Sequence, residues 1–377
     1  MMAEHAYWVA LAHLPGWRSE KINELVMTLL HKRKLSFAEF FDMSSEDWHS
    51  ILCLGPKESA DLIEAKRTLP EITTLVKELQ KHAIDIVPVW SEVYPQVLKE
   101  NLALKYSPPV LYMKGNKGLT REPTVAVVGA RNAGPAALRF TDVIAKKCVQ
   151  NRKVVVSGLA KGVDQAALAS TLKYKGQSIV VLPQGILSST SEFKKRESQI
   201  KNGDILFIST FFPRSPWSVG LAMARNVYIY GLAEEIYVAE SGPHGGTWSG
   251  AMDGLKKGRR VYVREPLPGE ENANELLISH GAVPVDQLGN RTRPKPPKLM
   301  APMRQLHLSG IKDDLEMLVR MLLSDLPKPL SSRAIKEHLQ LDIKPRQLSR
   351  LLRDMSFIEV LRSSSGRLVY TMKKLNE

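Results

Sequence analysis

The sequence has few cysteines and no long apolar run. Cys53 and Cys148 are its only cysteines, and they form neither a C-x-x-C pair nor a cluster with histidines at metal-ligand spacing. No stretch approaches the roughly 18 uninterrupted apolar residues of a membrane span, and the amino terminus lacks the basic start and small-residue cleavage site of a secretory signal. The sequence therefore predicts a cytoplasmic protein with no disulfide framework, structural metal, cofactor or membrane partner.

Acidic residues are also in deficit. The chain has 53 Lys and Arg against 39 Asp and Glu, a formal net charge of +14. A basic surplus attracts polyanions and raises their rate of encounter, which favours nucleic acid as a partner ahead of an anionic membrane surface. A length of 377 residues exceeds the size at which one hydrophobic core usually keeps growing, so two or three domains are expected.

Residues 1–84 are predicted to form a helical module. Apolar residues recur at helical spacing there, and Pro or Gly breaks at residues 14–16 and 54–56 separate the segments. The breaks resemble the turns of helix-hairpin-helix or SAM-like modules, in which backbone N–H groups of a glycine turn contact phosphates. Simple packing of helices is the alternative interpretation of the same turns.

Residues 85–285 are predicted to form a Rossmann-like α/β domain with a doubly wound parallel sheet. The part before Gly115 is expected to contain a short strand, a turn, a helix and an edge strand. From Pro123 onward, short β-branched runs alternate with helical segments, as expected for parallel strands covered by helices on both faces. The strand candidates in this part are residues 124–129, 153–158, 178–183, 204–210, 235–240 and 260–265.

The remainder of the chain divides into a linker and a final domain. Residues 286–308 are rich in proline and basic residues, which predicts an extended linker. Residues 309–377 regain helical spacing and finish with a hairpin pattern, the parts of a winged helix-turn-helix. The candidate recognition helix offers phosphate contacts, with a protein-interaction or structural role as the alternative. These contacts are Lys344, Arg346, Arg350 and Arg353.

Two glycine-rich loops follow strand candidates in the α/β domain. In an open parallel sheet, ligands bind beyond the carboxyl ends of the strands, so both loops are expected at the ligand-binding edge. Their glycines would let a phosphate approach backbone N–H groups while a cation supplies charge; tight turns with a solvated cation are the alternative. The candidate residues in the two loops are Gly129, Arg131, Ser157, Gly158, Lys161 and Gly162.

Further candidates lie later in the same domain. The pair Arg225 and Asn226 opens a helical stretch, and the loop with Gly245, Gly246 and Thr247 offers N–H groups to an oxyanion.

Three other side chains have two interpretations each. Asp164 is expected to cap the helix after the second loop rather than to act as a ribose ligand or a base. Trp217 and Trp248 are predicted in loops on the same rim, where they would stack on bases or serve as partly buried anchors.

At these motifs the chain resembles the DNA-processing protein A family, also called Smf. The V-G-x-R element corresponds to residues 128–131, S-G-x-A-x-G-[IV]-D to residues 157–164, the R-N pair to residues 225–226, and the closing N-x-L-I-x-x-G-A loosely to residues 274–282. The resemblance implies a single-stranded DNA-binding protein that is not an enzyme. It also implies a homodimer that hands incoming DNA to a RecA-type recombinase during natural transformation.

The sequence departs from this family pattern at several positions. Ala167 stands where a histidine is usual, Val227 where a second arginine is usual, and GGTWSGA replaces the S-G-S-L-x-T-A loop. The Y-P after the third strand is missing. These departures leave a divergent role open, such as defence against foreign DNA.

A second function on the same fold is a nucleotide sensor or a nucleotide phosphoribohydrolase. That branch carries P-G-G-x-G-T-x-x-E, with a carboxylate one helical turn beyond the glycines. Residues 242–254 read GPHGGTWSGAMDG, so Asp253 lies farther along and no glutamate takes the expected position. A transcription regulator that reads duplex DNA through the winged helix is a third interpretation.

Overall fold

The chain contains two compact units in a computed structural model that describes residues 2–292, 319, 323, 329–338, 345–355, 357–363 and 368–372. The units are Met1–Pro294 and Lys295–Glu377.

The amino-terminal part of the first unit is helical. Its helices are α1 (Met2–Ala12), α2 (Ser19–Met27), α3 (Phe37–Asp42), α4 (Ser45–Leu52) and α5 (Pro56–Lys81), and a π-helical segment, Thr28–Arg33, continues α2. Capping boxes start α3 and α4, where Ser36 pairs with Glu39 and Ser44 with Asp47. The breaks at residues 14–16 and 54–56 fall between helices. Kinship with SAM or helix-hairpin-helix modules stays a prediction.

Residues 85–285, all of them described, contain a nine-stranded sheet in the order β1-β2-β6-β5-β4-β3-β7-β8-β9. Strands β3 to β9 pair in parallel, whereas β2 is antiparallel to both β1 and β6. The strands are β1 (Asp85–Pro88), β2 (Val110–Gly115), β3 (Thr124–Val128), β4 (Val154–Ser157), β5 (Ser178–Val181), β6 (Ile205–Ser209), β7 (Glu235–Val238), β8 (Arg260–Arg264) and β9 (Val283–Val285). The prediction that residues before Gly115 end in an edge strand is wrong about its position: β2 is internal, because β1 pairs along its outer side.

Helices cover both faces of this sheet. They are α6 (Gln96–Leu102), α7 (Pro135–Gln150), α8 (Val163–Lys173), α9 (Thr190–Lys195), α10 (Glu197–Lys201), α11 (Val219–Gly231), α12 (Gly246–Lys256) and α13 (Asn274–Ser279). Val125 and Val127 of β3 pack with Phe140 of α7, whereas Ala126 belongs to the core on the other face, with Ile229 of α11. This alternation confirms a mixed α/β fold with a large, mostly parallel sheet. None of the described helices is long and apolar enough to cross a bilayer.

The start of the predicted linker is part of the first unit. The Asp286 N–H donates to the carbonyl of Asn290 over 2.9 Å, and Val285 forms an antiparallel bridge with Arg291. The Arg291 guanidinium donates to the Tyr262 hydroxyl over 2.7 Å. Residues 286–292 are therefore a turn against the sheet rather than an extended linker, and residues 293–308 lie outside the described residues.

In the described part of the second unit, two helices and a hairpin have defined bounds, and Val319 and Leu323 are helical as well. The two helices and the hairpin strands are α14 (Ser332–His338), α15 (Pro345–Arg353), β10 (Ile358–Arg362) and β11 (Leu368–Met372). Leu348 and Leu352 of α15 are buried in a core with Tyr370. Arg346, Arg350 and Arg353 are exposed on the same helix, and Lys344 lies outside the described residues.

Burial of His13 makes stability depend on pH. Its Nε2 lies 2.8 Å from the Tyr112 hydroxyl, and burial lowers the pKa of His13 to about 4. In an unfolded chain the pKa is about 6.5, so the unfolded state takes up the proton first as pH falls. This contribution to the free energy of unfolding is complete above pH ~6.5, and up to about 3 kcal/mol of it is lost by pH ~4.

Urea unfolding of the wild type and His13→Gln at pH 7 and pH 4.5 measures this contribution. The glutamine keeps a polar group near Tyr112 but does not titrate, so the variant should lose less stability between the two pH values. An identical loss in both proteins would contradict the assignment to His13.

Candidate nucleic-acid interface

Two cavities adjoin the segment that joins β6 to α11, and their charges differ. One, of about 340 Å³, lies at the carboxyl ends of the parallel strands and is lined by Arg131, Lys161 and Arg225, with one carboxylate, Glu192. The other, of about 580 Å³, lies against α1 and α5. Its lining contains the carboxylates of Asp61, Glu64 and Glu71 and no lysine or arginine among the described residues. Charge, rather than size, selects the smaller cavity for a polyanion.

The loops after β3 and β4 touch each other, and this contact brings Arg131 and Lys161 to one cavity. The Val163 N–H donates to the Ala130 carbonyl over 3.4 Å. Gly162 has a φ of +86°, and a Cβ there would lie 2.3 Å from the Ala130 oxygen. Only glycine permits this close approach of two backbones. Both cationic side chains are exposed, so the structure brings these two predicted site residues together.

Two other glycines of these loops are required by packing. A Cβ at Gly129 would lie 2.5 Å from Cγ2 of Val163. A Cβ at Gly158 would lie 1.8 Å from a guanidinium nitrogen of Arg225 and 2.5 Å from a carboxylate oxygen of Asp164. The sequence predicted that a phosphate would approach these glycines. In the structure the space above their Cα atoms is occupied by protein.

Arg225 and Asp164 form a buried ion pair beneath the cavity. Arg225 is 3% exposed, donates to the Val181 carbonyl over 2.6 Å and lies 3.5 Å from the Asp164 carboxylate. Burial raises the pKa of Asp164, against the attraction of Arg225, and lowers the pKa of Arg225. The charge of Arg225 is thus largely balanced from within the protein.

Asp164 does not cap α8, contrary to expectation. The residue before the first helical position is Gly162, and Asp164 lies inside the first turn. Ser157 is fully buried and its hydroxyl donates to the Val127 carbonyl over 2.9 Å, which ties β4 to β3. Arg131 and Lys161 remain as the exposed cations of the cavity.

The loop with Gly245, Gly246 and Thr247 is a separate feature after β7. Gly245 precedes α12 with a φ of +92°, and a Cβ at Gly246 would lie 2.0 Å from the Asn226 amide nitrogen. Thr247 accepts a hydrogen bond from the Tyr230 hydroxyl through its backbone carbonyl. Asn226, Gly245, Gly246 and Thr247 do not line the cavity that holds Arg131 and Lys161. In the same helix, Asp253 pairs with Lys257 over 2.8 Å at the surface.

The two predicted rim tryptophans have different environments. Trp217 is 52% exposed in the segment before α11 and lines the cavity. Trp248 lies in α12 rather than in a loop, is half-buried, and contacts His280 edge to face with ring centroids 5.9 Å apart. Trp217 is therefore the aromatic ring available to a ligand in this cavity.

Three polar residues of the cavity were not predicted. Gln184, Ser189 and Glu192 all follow β5, where the sequence lacks the family's Y-P. The Gln184 amide donates to the Ser188 carbonyl over 2.6 Å, and Glu192 pairs with Lys195 and Arg196. An apolar strand followed by a polar loop at the same sheet edge was the signal that could have indicated them.

Comparison with known proteins identifies the family. The sequence profile described as DNA recombination-mediator protein A matches residues 85–292, more than half of the chain. The chain belongs to this family. The resemblance inferred from the loop motifs is thereby confirmed, and the family's description is that of a recombination mediator rather than of an enzyme.

Relatives of the recombination-mediator family match over most of their length. The chain is 31% identical over 210 residues to the DNA processing protein DprA of Streptococcus pneumoniae, covering 55% of this chain and 72% of that protein. It is 27% identical over 320 residues to Protein Smf of Synechocystis, covering 77% and 76%. The X-ray structure of DNA processing protein A from Streptococcus pneumoniae superposes with a TM-score of 0.60 at 25% identity, over 76% of this chain and 95% of that one.

Two residues that depart from the recombination-mediator pattern lie in different environments. Ala167, in place of the usual histidine, is fully buried against α7 in the core. Val227, in place of the usual second arginine, is 45% exposed on α11. The first substitution places a small apolar side chain in the core where the family has a polar one, and the second removes a cation from the surface.

Proposed function

We propose that this chain binds single-stranded DNA in the cavity at the carboxyl ends of β3, β4 and β5, and delivers it to a RecA-type recombinase. The convergence of Arg131 and Lys161, two exposed cations from separate loops, on one concave surface carries the proposal. Cations and backbone N–H groups at this edge are suited to phosphates of a flexible strand and carry no base sequence information.

The cavity favours a single strand over a duplex. Single-strand binding commonly adds base stacking on exposed aromatic rings, and Trp217 offers its ring beside the two cations. Bases in a duplex are already stacked and paired and cannot use such a ring without being extruded. Specificity for single strands would therefore come from Trp217, and affinity mainly from Arg131 and Lys161.

Protein partners are proposed from family membership together with an exposed apolar surface on α11. Val219, Met223 and Val227 recur one helical turn apart on α11 and are 63%, 43% and 45% exposed. An exposed apolar row of this kind is typical of a protein-interaction surface. A second copy of the chain in a homodimer is the proposed partner there, with the recombinase contacting the resulting dimer.

The second unit is proposed to be a winged helix with an auxiliary DNA contact. Its helix α15 buries Leu348 and Leu352, and this orientation leaves Arg346, Arg350 and Arg353 exposed. Three arginines on one exposed helix side suit phosphate contacts.

A salt titration of oligonucleotide binding tests the proposed function. The wild-type protein is titrated with a single strand and with the duplex of the same sequence at several salt concentrations. The single strand should bind more tightly, and its log affinity should fall with log salt by about 0.7 for each phosphate contacted. Equal affinity for the duplex, or a flat salt dependence, would refute the proposal. Release of free base from nucleoside monophosphates would instead support the phosphoribohydrolase alternative.

A further inference from the structure

A second group of basic residues lies in the helical module. His31, Lys32, Arg33 and Lys34 are consecutive and exposed at the end of the π-helical segment, and no acidic residue occurs between Thr28 and Ser36. Short π-helical turns are rare and frequently occur at functional sites.

Lys32 and Lys34 are the members of this group whose ammonium groups are available. The Arg33 guanidinium donates to the Ile51 carbonyl over 3.0 Å, which fixes the segment on α4. In the described residues 2–110, the lysines that form ion pairs are Lys21 and Lys105. The nearest carboxylate along the chain, that of Glu39, is already engaged by Ser36 in the capping box of α3.

Sheet topology places this basic segment at the same edge as the candidate DNA-binding cavity. The His31 ring lies 5.1 Å from the ring of Trp90, which follows β1 by two residues. Because β1 is antiparallel to β2 and β2 is antiparallel to β6, β1 runs in the direction of the parallel strands. Its carboxyl end therefore lies at the edge where the loops with Arg131 and Lys161 emerge.

The separation along this edge is short enough for one nucleic acid strand to span. The order β1-β2-β6-β5-β4 leaves four strand spacings between β1 and β4. At about 4.8 Å each, this is roughly 19 Å, the length of a few nucleotides. The larger cavity, with Asp61, Glu64 and Glu71, repels phosphates, so a strand on this route would stay outside it.

We propose that Lys32 and Lys34 form a second phosphate anchor for the same single strand, which leaves the cavity and continues along the sheet edge to the helical module. This inference rests on the proposed function, because it extends the site beyond Arg131 and Lys161. It assigns the module a part in DNA binding. A long oligonucleotide engages both anchors, whereas a short one that fills the cavity engages only the first.

The test replaces Lys32 and Lys34 together by glutamine. Binding is measured over a range of salt for a single strand of about 20 nucleotides, longer than common single-strand sites, and for one of about three nucleotides, too short to fill the cavity and also reach Lys32. For the long strand, affinity should fall and the slope of log affinity against log salt should become shallower by about 1.4, two contacts of about 0.7 each. For the short strand, affinity and slope should stay at the wild-type values.

The matched control replaces Lys175 and Lys256 by glutamine. Both side chains are exposed. Lys175 follows α8 and precedes β5, and Lys256 ends α12 and precedes β8, so both lie at the opposite edge of the sheet, where the parallel strands begin. Lys34 and Lys175 also share a left-handed backbone, with φ of 57° and 59°, so each double variant carries one such position. This control removes the same net charge without touching the proposed path.

Each outcome separates the inference from the proposed function. If the control weakens the long strand as much as Lys32→Gln/Lys34→Gln does, the effect is general charge and the second anchor is refuted. If Lys32→Gln/Lys34→Gln binds the long strand as tightly as the wild type does, the second anchor is also refuted, but the proposed DNA site in the cavity is not. If the wild type shows no salt-dependent binding of either strand, the proposed function itself fails. Loss of binding to anionic lipid vesicles with unchanged oligonucleotide binding would assign the segment to a membrane and overturn the proposal.

Discussion

Replacing Arg131 and Lys161 together by alanine is expected to abolish most of the affinity for single-stranded DNA, whatever its base sequence. Each side chain is exposed at the cavity and would donate to a phosphate, and hydrogen bonds to charged groups contribute about 1.5–3 kcal/mol each. Removing either phosphate interaction should therefore lower the affinity more than tenfold. The salt slope should become shallower by about 1.4.

The control for this result is Arg152→Ala/Lys256→Ala, which removes one arginine and one lysine from exposed positions before β4 and β8. It should bind DNA nearly as the wild type does. Because Arg131 and Lys161 are exposed, their removal should leave the thermal unfolding midpoint almost unchanged. Wild-type affinity and salt slope in the Arg131→Ala/Lys161→Ala variant would rule out the cavity as the DNA site.

Asp164→Ala is expected to cause the largest loss of stability. The substitution leaves the Arg225 guanidinium, 3% exposed, without its carboxylate partner. Removing one member of a buried pair typically costs about 3–5 kcal/mol, because the remaining charge is buried and uncompensated. Denaturant unfolding monitored by tryptophan fluorescence measures this loss. The loop after β4 should be perturbed with it, since Gly158 packs against both side chains.

Two comparisons make that result specific. Asp253→Ala breaks the exposed pair with Lys257 and should cost no more than about 0.5 kcal/mol. The double variant Asp164→Ala/Arg225→Met removes both buried charges and should be less destabilised than the sum of its two single variants. Additive losses, or an Asp164→Ala cost as small as that of Asp253→Ala, would show that the buried pair does not stabilise the fold.

Local pattern was sufficient to locate most of the sheet. Runs such as 124–128 and 205–209 are continuous and apolar because both faces of these strands are covered, and this is visible without a structure. The same pattern misjudged β2, because edge position depends on whether β1 pairs beside it, which no periodicity within residues 110–115 records. It also missed Gln184 and Glu192, whose cavity positions depend on how the loop after β5 folds back.

Side-chain partners distant in sequence were beyond prediction. Asp164 and Arg225 are 61 residues apart and meet because α8 and α11 converge near the end of β5. A capping role for Asp164 was a reasonable local interpretation, but burial beside a guanidinium outweighed it. The glycines are a similar case. Their presence indicated that another group comes close to the backbone, and in the structure that group is protein at Gly129, Gly158 and Gly162.

Charge, family motifs and strand periodicity follow from covalent order and nearest neighbours. They were sufficient to indicate a mixed α/β fold and to predict that basic loops at one sheet edge bind nucleic acid. Only the tertiary structure decided which side chains can meet a ligand. It buries Arg225, leaves Arg131 and Lys161 at the surface, and aligns β1 with the parallel strands. Burial and proximity arise from contacts between segments far apart in the chain. They set which cations keep their charge free for a ligand, and a linear pattern does not contain that information.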